Sequence, residues 1–338
     1  MKRKIVTILL CCGGMLALIL DAKTALRGAM DGIGLCLNSV IPSLFPFFVL
    51  SMLLTDALWG VDVPALNHIG RWMRMPKGSH SLLLIGVLGG YPTGAQAVMQ
   101  CYKSGGISKT DAQRMLGFCS NAGPSFLFGI AGAVFETPWI ALVLWMIHIF
   151  SAFLAGVLLP GMTHEQILLH QKKKLTLSDA LERSVMIMGK VCGWIVLFRV
   201  LMHFLRCWFG WLLPLNAQIV LEGFLELANG CISLSQITNK GQRFVLCAAF
   251  LGFGGCSVLM QTVSVTNGLG LGMYIPGKIL QLLISTVFAC IIQWFLFPTG
   301  RYEIAPAVAA ICGILLPIFT LLLRKNEIKG RNPVEVGV

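Results

Sequence analysis

The sequence predicts an all-α polytopic membrane protein built as two inverted repeats, each with a re-entrant hairpin and a broken helix. Three observations predict it. The 338-residue chain is 56% hydrophobic and 12% charged, with a mean hydropathy of +0.80, whereas a soluble domain carries about 25% charged residues. Several runs approach the roughly 20 apolar residues needed to cross a bilayer. Twice, such a run is interrupted in its middle by glycines and small polar residues: GGYPTGAQAV at 89–98 and LGFGGCSVLMQ at 251–261. Each is followed by a second broken stretch, CSNAGPSFLFG at 119–129 and GLGLGMYIPGK at 268–278. Backbone freed from a helix cannot face lipid, so it lines a cavity or is buried in protein. Paired interruptions in two halves point to the substrate site of a transporter.

The elements follow in order. Met1 to Lys4 and the apolar run to Leu20 read as an uncleaved first transmembrane helix. Leu10 stands before Cys11 where a lipoprotein signal needs a small residue, and no small-residue cleavage site follows. A second span covers about 32–55. Residues 60–76, with Trp59 before them and His68, Arg71, Trp72 and Arg74 within, suit an interfacial helix. Residues 80–102 form the first hairpin, 107–116 an amphipathic piece, 117–135 a broken helix and 138–160 a span. Residues 161–180 are the long polar loop, with Lys172, Lys173 and Lys174. The second half repeats the order: a span at 184–205, an amphipathic segment at 216–232 with Glu222 and Glu226, a second hairpin at 243–266, a broken helix at 268–297 and a last span at 303–323. The units are therefore an N-terminal helix (1–28), a first repeat (29–160), a basic loop (161–180), a second repeat (181–323) and a basic tail (324–338).

Lys and Arg outnumber Asp and Glu by 26 to 14. The excess falls between spans, which fits cytoplasmic loops rather than nucleic-acid binding. Three crossings per half put Lys2–Lys4, Arg71, Lys103 and Lys172–Lys174 on one side and the tail, Arg324 to Arg331, on the other. A membrane-crossing 214–236 segment would return the tail to the first side. The twelve cysteines lie mostly in apolar runs, and no pair has C-x-x-C spacing. Neither a disulfide framework nor a metal or cofactor site is expected.

The candidate binding residues cluster at the interruptions. In the first turn these are Gly90, Thr93 and Gln96; in the second they are Gly254, Ser257 and Gln261. Half-helix N-termini there attract anions; the alternative role is close helix packing through small residues. Asn121 sits beside Gly123 and Pro124 in mid-span, where freed carbonyls and its amide can face a substrate, or where a kinked packing helix bonds it to a neighbour. Lys278 follows Pro276 and Gly277. A cation at the bilayer centre costs about 3 kcal/mol on insertion scales, so it either pairs with a substrate carboxylate or snorkels to an interface.

Other motifs fail on inspection. Gly272 to Lys278 matches G-x-x-x-x-G-K, but Ile279 replaces the Ser/Thr that a phosphate-binding loop requires. His164–Glu165 lacks the second histidine of a zinc-protease motif, since position 168 is Leu. His148 and His203 read as packed, bonded residues. No acid/base set emerges, and an enzyme is not expected.

VIPSLFPFFVLSMLL, GGYPTGAQAV and CSNAGPSFLFG resemble the sporulation integral membrane proteins of the YlbJ type, of the nucleoside-recognition or gate domain group. The resemblance spans nearly the whole chain and is strongest over about 25–135. The gate group is similar in turn to the core of concentrative nucleoside transporters, which implies the inverted-repeat fold with a site between the two hairpin tips. The YlbJ resemblance implies passage of dipicolinate, a small aromatic dianion, across the outer forespore membrane during sporulation. No acidic residue of the kind nucleoside transporters use lies inside the expected hairpins. A small organic anion is thus the expected substrate, with the lipid bilayer, a further copy of the chain or other sporulation membrane proteins as candidate partners. The alternatives are a transporter of nucleoside-like solutes and a non-transporting scaffold or gating subunit.

Overall fold

The structure, a computed structural model, describes residues 2–61, 63–135, 137–161 and 175–330. The Lys172–Lys174 run and Arg331 lie outside the described residues. All regular elements among them are helical. Among the described residues, seven helical units are long and apolar enough to cross a membrane: Ala22–Ala57, Lys109–Phe135, Pro138–Leu158, Leu177–Leu212, Lys240–Val265, Tyr274–Leu296 and Ala305–Lys325.

α1 (Lys2–Leu20) packs on α2 (Ala22–Leu35), which continues through a π turn at Cys36–Val40 into α3 (Ile41–Ala57). The second span therefore begins at Ala22 rather than near 32. Pro42 and Pro46 have no N–H to continue the helical ladder, and the widened turn sits just ahead of them. α4 (Pro64–Trp72) is the short helix expected between spans. α5 (Ser81–Gly89) and α6 (Thr93–Lys103) fold back on each other about Gly90–Pro92. They cross at glycines: a β-carbon at Gly94 would lie 3.0 Å from the α-carbon of Gly86. α7 (Lys109–Cys119) starts on a Ser108 cap. The chain leaves the helix at 120–123 and resumes at α8 (Pro124–Phe126), continuing helically to Phe135. Proline at the first helical position, where no N–H is needed, starts α4, α8 and α9 (Pro138–Leu158).

α10 (Leu177–Phe209) opens on a reciprocal box, Thr176 capping the Asp179 N–H at 3.1 Å and Asp179 accepting from the Thr176 N–H at 3.1 Å. It runs antiparallel to α2 and α3. Gly28 and Gly32 allow this approach, because β-carbons there would lie 2.8 Å from Val200 Cα and 2.9 Å from Val196 Cα.

The second half departs from the expected order by one element. α11 (Leu215–Leu225) and α12 (Leu227–Ser233) pack back to back, so the segment read as amphipathic is the second hairpin. α13 (Lys240–Phe253) and α14 (Gly255–Val265) together form a membrane-length unit broken at Gly254, so the segment read as a hairpin is the broken helix. α15 (Tyr274–Leu296) is unbroken; GLGLGM is a loop before its first turn. α16 (Ala305–Gly330) closes the fold against α15. The physical reason lies in the turns. Gly254 and Gly255, with φ of 87° and 81°, interrupt a helix in the left-handed region without reversing it. The reversal at Glu226 needs no glycine: the residue is extended, at φ −142° and ψ 118°, and its carboxylate caps the next helix.

Candidate functional site

All four interruptions converge. The first hairpin turn meets the first helix break, where a β-carbon at Gly90 would lie 2.9 Å from Gly123 N. The second turn meets the second break, where one at Gly255 would lie 3.2 Å from Leu227 N. The two sets join through Tyr91, whose hydroxyl lies over Gly254. Between them is a small cleft of about 40 Å³. Its walls are mostly apolar, with Phe48, Phe126 and Val191 among them, and Tyr91, Ser125, Glu226 and Gln261 bring the polar groups.

Glu226 is buried at the tip of the second hairpin. Its carboxylate accepts the Ala228 N–H at 3.2 Å and the Asn229 N–H at 2.6 Å, capping α12. Below it, Arg206 pairs with Glu222, which also accepts from Ser233 Oγ at 2.9 Å. The expectation that no acidic residue lies in a hairpin is corrected here: the hairpin itself was misplaced, and Glu226 is at its turn.

Behind Tyr91, a buried polar network satisfies the first helix break. Lys278 Nζ donates to Ser120 O at the end of α7, to Gln281 Oε1 at 2.8 Å and to Tyr91 Oη at 3.3 Å. It lies 5.3 Å from the Tyr91 ring centre and 5.8 Å from that of Tyr274. Asn121 Nδ2 donates to Phe118 O at 2.7 Å, and its Oδ1 accepts from Gln281 Nε2 at 3.1 Å. His148 Nε2 accepts the Ala122 N–H at 3.0 Å. Carbonyls and amides released by the break thus find side-chain partners, as backbone at membrane depth must. A lysine on the carbonyl end of α7 also opposes that helix's negative pole.

The sequence-derived residues accordingly divide. Gly90 and Gln261 line the cleft. Gly254 is its neighbour under Tyr91, and Ser257 Oγ holds Gln261 Nε2 at 3.4 Å. Thr93 and Gln96 line a second, larger space of about 320 Å³ between α3, α6 and α10, with Gln100, Glu182, Arg183 and Lys190. Lys278 and Asn121 are 1% and 2% exposed and stand behind the cleft rather than in its lining; Lys278 reaches no interface. His148 is a packed, bonded residue as expected, and His203 pairs with Asp31 at 2.9 Å. Tyr91 and Gln281 were not singled out in sequence, and Glu226 was named there only as part of the amphipathic segment. Tyr91 stood inside the GGYPTG string, and the E-x-A-N order from Glu226 to Asn229 carried the signal of a cap.

Seven apolar membrane-length helices among the described residues, packed around buried breaks, define a polytopic integral membrane protein. Compared with known proteins, the chain is 24% identical over 293 residues to the sporulation integral membrane protein YlbJ of Bacillus subtilis (strain 168), a match covering 72% of this chain and 71% of that one. That similarity is to the type of protein its GGYPTG and SNAGP strings resemble. No family model matches the chain, and no solved structure does.

Proposed function

We propose that the protein is a transporter or facilitator of a small organic anion, dipicolinate in a sporulating cell, working through two inverted repeats. The observation that carries this reading is the convergence of two hairpin turns and two helix breaks on one cleft. The corrected order supports the repeat. α5–α6 corresponds to α11–α12, α7–α8 to α13–α14, and α9 to α15. α7 packs on α15 as α13 packs on α9. Each half crosses three times, so the second is inverted, as in the core of concentrative nucleoside transporters. α16 adds a crossing and returns the chain to the side on which α9 ends and α10 begins. That side, with Lys103, Lys109, Arg183, Arg324 and Lys325 near it, is the cytoplasmic one in this reading.

An anion suits the cleft because the helical stretch that starts at Pro124 opens on it, with Gly123, Ser125 and Phe126 in the lining. Glu226 spends its charge on the start of α12. A second reading, a nucleoside-like solute, is favoured by the same Glu226, since a carboxylate at a hairpin tip also binds hydroxyls or a coupling cation. The test is uptake of labelled dipicolinate, with uridine in parallel, into proteoliposomes. Dipicolinate uptake above empty liposomes supports the first reading. Uptake of uridine alone would replace it with the second.

A further inference from the structure

Lys278 is a buried cation whose surroundings contain no carboxylate contact among the described residues. α7 brings Cys119 and, further back, Arg114, whose guanidinium is spent on carbonyls of 73, 156 and 160. The carboxylate of α7, Asp111, lies at that helix's other end, against Ser108. α9 brings His148; the thiol of Cys247 on α13 is turned to Cys231 on α12; and α16 brings Cys312 near Cys290, beyond the network. α15 itself adds Tyr274. A charge here has only dipoles to compensate it.

We propose that Lys278 is a proton-binding site linked to the substrate cleft through Tyr91. This rests on the anion reading and specifies its coupling. The geometry offers Nζ two obligate acceptors, Ser120 O and Gln281 Oε1, and one group of either sense, the Tyr91 hydroxyl. As a neutral amine, Lys278 donates to the two acceptors and its lone pair takes the Tyr91 O–H. As an ammonium, it needs Tyr91 Oη as a third acceptor, and the tyrosine proton is turned away from it. Tyr91 lines the cleft, so that proton is then offered to an acceptor in the cleft, such as a substrate carboxylate. One proton taken up at Nζ thus creates one donor for the anion, and by linkage anion binding draws the proton in. No bond other than N–H is made or broken.

The experiment uses the full chain in nanodiscs. Lysine 15Nζ spectra are recorded against pH, with the Lys278 signal assigned by its loss in Lys278→Arg and Lys278→Met. Calorimetry with dipicolinate, in buffers of different ionisation enthalpy, counts protons taken up on binding. Circular dichroism checks that each variant keeps its helices. The expected result is a Lys278 signal that changes from amine to ammonium when dipicolinate binds, with about one proton taken up per dipicolinate. Uptake disappears in Lys278→Arg, Lys278→Met and Tyr91→Phe, while Lys278 still titrates in Tyr91→Phe. A Lys278 that stays ammonium throughout, with dipicolinate bound and no proton taken up, overturns the coupling and leaves the anion reading standing. A titrating Lys278 in a protein that binds uridine and not dipicolinate overturns the anion reading, and the linkage with it.

Discussion

The hydroxyl of Tyr91 lies over the α-carbon of Gly254, so that a β-carbon there would sit 2.9 Å from Tyr91 Oη. The turn of one hairpin is thereby seated on the helix break of the other half. Only a residue without a side chain fits beneath that hydroxyl.

Gly254→Leu is therefore expected to abolish dipicolinate uptake. The left-handed conformation at φ 87° adds a cost of about 1–2 kcal/mol for a residue with a β-carbon. Thermal unfolding in detergent measures the stability loss, and uptake per folded protein measures the blockage. Full uptake at unchanged stability would count against the seating.

Gly230→Ala tests the second hairpin. Its β-carbon would collide with the backbone of Gly223, where α11 and α12 cross. Overpacking of this kind costs about 1–3 kcal/mol. Gly13→Ala, on α1 with nothing within 4 Å, is the control and is expected to leave the melting temperature unchanged.

Lys278→Ala removes the donor to Ser120 O and Gln281 Oε1. A buried acceptor left alone costs about 1–3 kcal/mol, so the variant should unfold at lower temperature than Asn121→Ala, which frees Phe118 O alone of the backbone acceptors. Dipicolinate transport unchanged in both variants would show that the network behind Tyr91 does not serve the cleft.

Glu226→Gln separates the two substrate readings. The amide oxygen keeps one hydrogen bond to the start of α12, and the charge is gone. For a dianion, uptake should hold or rise; for a nucleoside-like solute coupled to a cation, it should be lost. Parallel uptake of dipicolinate and uridine decides it.

The sequence by itself determined the membrane class, the existence of two interrupted halves and the residues at three of the four turning points. Apolar run length and glycine position carry that information directly, because a bilayer tolerates few alternatives to a continuous helix. Gly90, Asn121, Gly254 and Gln261 were all legible on that basis. Only the tertiary structure decided which interrupted segment reverses and which passes through. Gly254–Gly255 looks like a turn but breaks a helix in line, whereas Glu226 reverses the chain by capping α12 with its own carboxylate, a local hydrogen bond that hydropathy does not register. It also decided what Lys278 does. A lysine after Pro276–Gly277 can point to substrate, to an interface or to protein. The choice of protein was made by Ser120 O, Gln281 and Tyr91, residues up to 187 positions away in the chain.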